Sequence, residues 1–101
     1  MEKYYNENGD VAVLVSYGYG AGWSTWISAP DAVFNPRIVK AILDKVDNLF
    51  KIAEAEYPGE YVGGVDGLSV EWVPEGTAFR INEYDGAESL EIYSPEHYYI
   101  A

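Results

Sequence analysis

The run "VAVLV", Val11 to Val15, most restricts what this chain can fold into. It is short, continuously apolar and rich in valine, and turn-forming residues bound it on both sides, so it predicts a strand buried on both faces at the centre of a sheet. Before it, "KYYNENGD" predicts a short edge strand at residues 3–5, with Asn8-Gly9 supplying the positive φ angles of a tight hairpin.

The remaining elements follow from periodicity. "SAPDAVF" predicts one short helical turn. Asn35 is a good N-cap, and Pro36 fits the first helical position, where a missing N–H costs nothing. Ile38, Val39, Ile42, Leu43, Val46, Leu49, Phe50 and Ala53 then recur at spacings of three and four, which predicts one apolar stripe on a single helix running to about residue 55 and stopped by Tyr57-Pro58-Gly59. Beyond it the chain alternates: Leu68, Val70 and Trp72, then Phe79 and Ile81, then Leu90 and Ile92, each set against polar neighbours. These are half-exposed antiparallel strands joined by the turns "PEGT" and "DGAES". The expectation is a single α+β domain over residues 1–101 in the order ββ-α-βββ, an antiparallel sheet of about five strands with one long helix packed on one face.

Composition narrows the function classes. The chain is 49% hydrophobic and 16% aromatic, too rich in core formers for a disordered acidic tail despite a net charge of -11. It has no cysteine, hence no disulfide framework and no thiolate nucleophile, which favours a cytoplasmic setting. "MEKYYNENGD" lacks an apolar leader and no stretch is apolar enough to span a bilayer, so the expectation is a soluble, unprocessed chain with no membrane partner. The charge is polarised: from Glu60 to Ala101 nine acids face one base, whereas Arg37, Lys40, Lys45 and Lys51 outnumber Asp44 and Asp47. Such acidity excludes direct binding to nucleic acid through its phosphates.

"SYGYGAGWSTW", Ser16 to Trp26, admits three readings. In the first, Gly18, Gly20 and Gly22 expose backbone N–H groups to a nucleotide-like ligand, Tyr17, Tyr19, Trp23 and Trp26 stack on its base, Ser24 and Thr25 donate to its oxygens, and Arg37, Lys40 and Lys45 neutralise its phosphate. In the second the stretch contacts a protein partner. In the third the glycines make room for large rings and the stretch is packing and turn geometry. The spacing Gly18-x-Gly20-x-Gly22 matches neither the dinucleotide fingerprint nor the phosphate loop.

Catalysis has little to draw on. His97 is the one histidine, it lies near the end of the chain, and no Gly-x-Ser-x-Gly context accompanies it. No acidic loop has calcium-site spacing, so neither metal nor cofactor is expected, and carboxylate-dependent enzymology remains a remote alternative. The acids support a different use. Glu71, Glu83 and Glu91 on strands, with Glu75, Asp85 and Glu88 in turns, can form a negative array that imitates a phosphate backbone and attracts a nucleic-acid-handling protein, or can serve solubility alone.

"VAVLVSYGYGAGWSTW", together with "YPGEYVGGVDGLSVEWVPEGTAFRINEYDGAESLE", resembles small accessory proteins of tailed bacteriophages and prophages, over most of the chain from Val11 to Glu91. The resemblance supplies no catalytic residues. It implies a protein made in the cytoplasm of an infected bacterium that acts by stoichiometric binding, either blocking a host factor of antiviral defence or sequestering a signal. Tyr98, Tyr99 and Ile100 give the chain an apolar tip, which predicts a homo-oligomer.

Overall fold

The computed structural model describes residues 1–18, 22–93, 95–96 and 99–101. The chain is α+β with antiparallel pairing, but its described residues build two sheets and two α-helices where one sheet and one long helix are expected. The strands are β1 (Asp10–Ser16), β2 (Leu68–Pro74), β3 (Ala78–Tyr84), β4 (Ala87–Ile92) and β5 (Tyr99–Ile100). β1 pairs with β2 from Asp10↔Pro74 to Ser16↔Leu68, and β3 pairs with β4 on one edge and β5 on the other.

β1 is buried on both faces, as its valines require, but it lies in a two-stranded sheet rather than at the centre of a larger one, and its burial comes from running between two layers. Ala12 and Leu14 point into a core with Trp23, Ile27, Ile38, Val39, Ala53, Tyr57 and Val65. Val11, Val13 and Val15 point the other way, into a core with Val33, Phe34, Val73, Phe79 and Ile81. The expected edge strand at residues 3–5 is reduced to a bridge between Tyr5 and Val11, plus the Ala12 N–H donating to the Tyr4 carbonyl at 2.9 Å. Gly9 has the positive φ the turn needs, at 81°, whereas Asn8 has not; the Asn6 side chain instead closes the turn by accepting from the Asn8 and Asp10 N–H groups.

The helical segment begins as its sequence dictates. "SAPDAVF" holds a 3-10 turn, Pro30–Val33, and Asn35 Oδ1 accepts from the N–H groups of Arg37 and Ile38 to cap α1 (Pro36–Leu43). The stripe then breaks. Lys45 takes a left-handed φ of 54°, its N–H donates to the Ile42 carbonyl, and the Val46 N–H donates to Ala41. That is a Schellman stop with lysine where glycine is usual. The chain restarts as α2 (Leu49–Glu56), leaving Leu43, Val46 and Phe50 partly in water.

"DGAES" makes the hairpin turn between β3 and β4, with Asp85 and Gly86 at φ 53° and 85°, the left-handed pair that a two-residue hairpin loop favours. "PEGT" instead carries the chain from one sheet to the other, since β2 and β3 do not pair with each other. Of the apolar tip, Tyr99 and Ile100 form β5 at the edge of the second sheet, where Ile100 stays 47% exposed. Tyr99 stacks on Phe79 at 5.3 Å between ring centroids and meets Phe34 edge-on, while the Ala101 N–H donates to the Thr77 carbonyl. Tyr98 lies outside the described residues.

Candidate functional site

Strand parity decides which acids face outward. In the β3–β4 hairpin Ile81 pairs with Leu90 and Glu83 with Glu88, so both glutamates project from the face that carries Phe79, Ile81 and Leu90. Glu91 projects from the opposite face, opposite Arg80, with which it forms an ion pair at 3.4 Å, and it accepts from the Asn82 amide at 2.7 Å. Glu71 belongs to the other sheet. The single acidic array expected from Glu71, Glu83 and Glu91 is therefore divided between two sheets and two faces.

Glu88 leaves the surface altogether. It is 2% exposed, and its carboxylate accepts four hydrogen bonds: from the N–H of Ser16 at 3.0 Å, of Trp23 at 2.7 Å and of Thr25 at 3.0 Å, and from the Thr25 hydroxyl at 2.6 Å. A buried charge is tolerated only when it is densely hydrogen-bonded, and backbone N–H groups converging on one carboxylate meet that condition. The glycine-rich stretch thus does form an anion nest, and the anion is the chain's own Glu88. Its donors are the N–H groups of Ser16, Trp23 and Thr25 rather than those of Gly18, Gly20 or Gly22, to which the sequence assigns a phosphate.

The other members of the stretch separate by role. Trp23 is fully buried, donates its indole N–H to the Ala32 carbonyl at 2.8 Å and meets Tyr57 edge-on. It is core. Ser24 is buried beside Tyr99, whose phenol is pushed up by burial, drawn partly back by the Ser24 hydroxyl and raised by the charge of Glu88. Gly18 has open space about its Cα. Tyr19, Gly20 and His97 lie outside the described residues. Arg37 and Lys40 are engaged on the helices, by Glu56 at 2.6 Å and by Asp44 at 2.9 Å, and no described bond ties them to the glycine-rich stretch. Arg37 also helps hold Glu56 below its ordinary value, after the stronger contribution of the Asn35 amide.

What remains at the surface is a set of aromatic rings held by carboxylates. The Tyr5 hydroxyl donates to Glu75 at 3.0 Å, the Tyr17 hydroxyl to Glu71 at 2.8 Å and the Trp26 indole N–H to Glu83 at 3.1 Å. Each of the three rings is at least 40% exposed. Partial burial and then the bond to Glu71 push the Tyr17 phenol up to about 12, so it stays a donor at neutral pH. Glu83 is held below its ordinary value by the Trp26 indole and the Gly86 N–H, so it stays ionised. Tyr17 and Trp26 each follow a residue whose N–H is bound by Glu88, so that one buried carboxylate fixes where both rings leave the core. Asp85 sits exposed in the adjacent hairpin turn.

Tyr61 completes the group. Its ring, 56% exposed, lies 5.5 Å from that of Trp26 at an angle of 49°, a neighbour the sequence reading does not single out. Two glycines stand close against these rings. A Cβ on Gly22 would stand 2.8 Å from Trp26 Cδ1, and one on Gly63 would stand 2.6 Å from the Tyr61 hydroxyl oxygen.

Elsewhere, a cleft of about 280 Å³ is lined by Met1, Lys3, Pro30, Phe34, Tyr99 and Ile100, none of them in the glycine-rich stretch. Among the described residues no group of three histidine, cysteine or acidic side chains is placed to hold a metal, and no helix is long and apolar enough to cross a membrane. No family model, curated protein or solved structure matches the chain.

Proposed function

We propose that the protein is a small phage-encoded accessory factor that acts without catalysis, by stoichiometric binding to a host protein of antiviral defence whose own surface is basic and handles nucleic acid. One observation carries the reading: Tyr5, Tyr17 and Trp26 are exposed, yet each is fixed by a carboxylate, Glu75, Glu71 and Glu83. Tyrosine and tryptophan are enriched among the few residues that carry most of the binding energy in protein interfaces, and rings already fixed lose little entropy when a partner docks. A chain with net charge -11 adds a long-range field that steers a basic partner toward them.

The test is capture of a host protein from bacterial extract on tagged protein, with E71Q/E75Q/E83Q as the comparison. Glutamine keeps an acceptor for each ring, so the rings stay in place while the charge is lost. The expected result is salt-sensitive capture of a basic protein by the wild type, weakened in high salt as the Debye length falls from about 10 Å to about 3 Å, and lost in the triple variant. Equal capture by both proteins at either salt concentration overturns the proposal.

A further inference from the structure

We infer that Trp26 and Tyr61 form a seat for an arginine side chain of a protein partner, with Glu83 and Glu60 as its flanking carboxylates. The inference rests on the reading of the protein as a binder of a basic partner and names the group it recognises.

The pair is built rather than incidental. Trp26 is 40% exposed and Tyr61 56%, so burial gives little reason for holding either ring still. Yet Trp26 lies against Gly22, Tyr61 lies against Gly63, and neither glycine has the positive φ that would otherwise account for it. Any larger residue at position 22 or 63 would displace a ring. Two further contacts hold the pair: the Trp26 indole N–H donates to Glu83 on β3, and the Ser28 hydroxyl donates to Glu60, the residue before Tyr61. Segments 26–28 and 60–61 are thus joined by a ring contact and a hydrogen bond.

The chemistry of the seat selects its occupant. Aromatic faces are electron-rich and attract cations, an attraction that strengthens as the pair is desolvated. Glu83 receives the indole N–H at the ring's edge and is held ionised, so a negative charge stands beside the aromatic surface without covering it. A planar, weakly hydrated guanidinium can stack on a ring and donate in a fork to a carboxylate at once, whereas a lysine ammonium is a hydrated point charge that cannot do both. Four of the chain's six basic side chains are engaged elsewhere: Arg37 with Glu56, Lys40 with Asp44, Arg80 with Glu91 and Glu96, and Lys3 with the Ile100 carbonyl and the Phe34 ring.

The experiment titrates the whole protein with a blocked Arg-Gly repeat peptide, its Lys-Gly counterpart and its citrulline-Gly counterpart. Indole N–H resonances are followed in proton–nitrogen correlation spectra, with the Trp26 signal assigned by W26F. The arginine peptide should move the Trp26 signal saturably and leave Trp23 unmoved, because Trp23 is buried and bonded to Ala32. Lysine should bind about fivefold more weakly, the size of a cation–ring difference near 1 kcal/mol, and uncharged citrulline should not bind. Y61A, which removes one wall of the seat at an exposed position, should weaken the arginine peptide severalfold; G22A, whose Cβ crowds both the indole and the Thr25 hydroxyl bound to Glu88, should do the same where its urea midpoint matches the wild type. No saturable shift at Trp26, or an equal response to lysine or citrulline, overturns the seat. Host-protein capture separates the two readings. Full capture by Y61A alongside loss in E71Q/E75Q/E83Q overturns the seat and leaves the acidic-surface reading standing, whereas peptide binding with capture undiminished in the triple variant overturns that reading instead.

Discussion

Glu88 and Trp23 lie 65 residues apart in the chain and are joined by a 2.7 Å hydrogen bond from the Trp23 backbone to the Glu88 carboxylate. Through it and its companion bonds, the hairpin of one sheet holds the loop that leaves the other. E88A should therefore cost about 3–5 kcal/mol, because it strands three backbone donors that have little access to water. A domain of this size has about 5–15 kcal/mol in all, so E88A should be partly unfolded at room temperature. E88Q should cost less but still more than 1 kcal/mol, since its amide group turns a donor toward donors. Urea denaturation checks both, and a loss below about 1 kcal/mol for E88A would refute the role assigned to this carboxylate.

Lys45 gives a prediction of opposite sign. A lysine at φ 54° pays a steric penalty that glycine escapes, and the Schellman stop it occupies needs no side chain. K45G should raise stability by about 0.5–1 kcal/mol, net of the greater freedom glycine has when unfolded. The urea midpoint should rise with an unchanged slope. A fall would mean that the Lys45 side chain contributes something the backbone geometry does not require.

The junction of the two helices should make stability sensitive to acid. The Asn35 amide and, after partial burial is set against it, the Arg37 ion pair hold the Glu56 carboxyl below its ordinary 4.5. A carboxyl lowered on folding contributes stability that is complete above its unfolded value and is lost as the pH falls through the folded one. The wild type should thus lose stability as the pH drops below about 4.5, and E56Q, which keeps an acceptor for Asn35 without the charge, should show a shallower loss. Urea midpoints measured at a series of acidic pH values compare the two slopes directly; parallel slopes would exclude the junction as a source of acid sensitivity.

Local signals carried the start of the fold and failed where geometry was non-local. Asn35 and Pro36 mark the start of α1 because capping is a matter between near neighbours. The end of α1 was hidden because the residue that stops it is lysine, and the apolar spacing continues across the break as if nothing had happened. Alternation located β2, β3 and β4, but it is the same whether successive strands pair with each other or belong to different sheets, so the division at "PEGT" was invisible. Glu88 was legible. It stands two residues before Leu90 and four before Ile92, which puts it on the apolar face by parity, and the habit of reading acids as solvent-facing concealed it. Tyr61 could not be singled out, because its partner Trp26 lies 35 positions away and only folding brings them together.

Val11, Val13 and Val15 of β1 belong to one core cluster, and Ala12 and Leu14 to the other. Neither layer can therefore melt without stripping one side of the same strand, and neighbours such as Val13 and Leu14 lose their cover in different halves of the molecule but at the same moment. A chain of 101 residues built in two layers would otherwise have a seam along which to open by stages. Here the seam is the strand itself, so the two halves should share one cooperative transition: the amide protons of β1 should exchange with solvent only when the whole domain unfolds, and their protection should match the stability measured in urea.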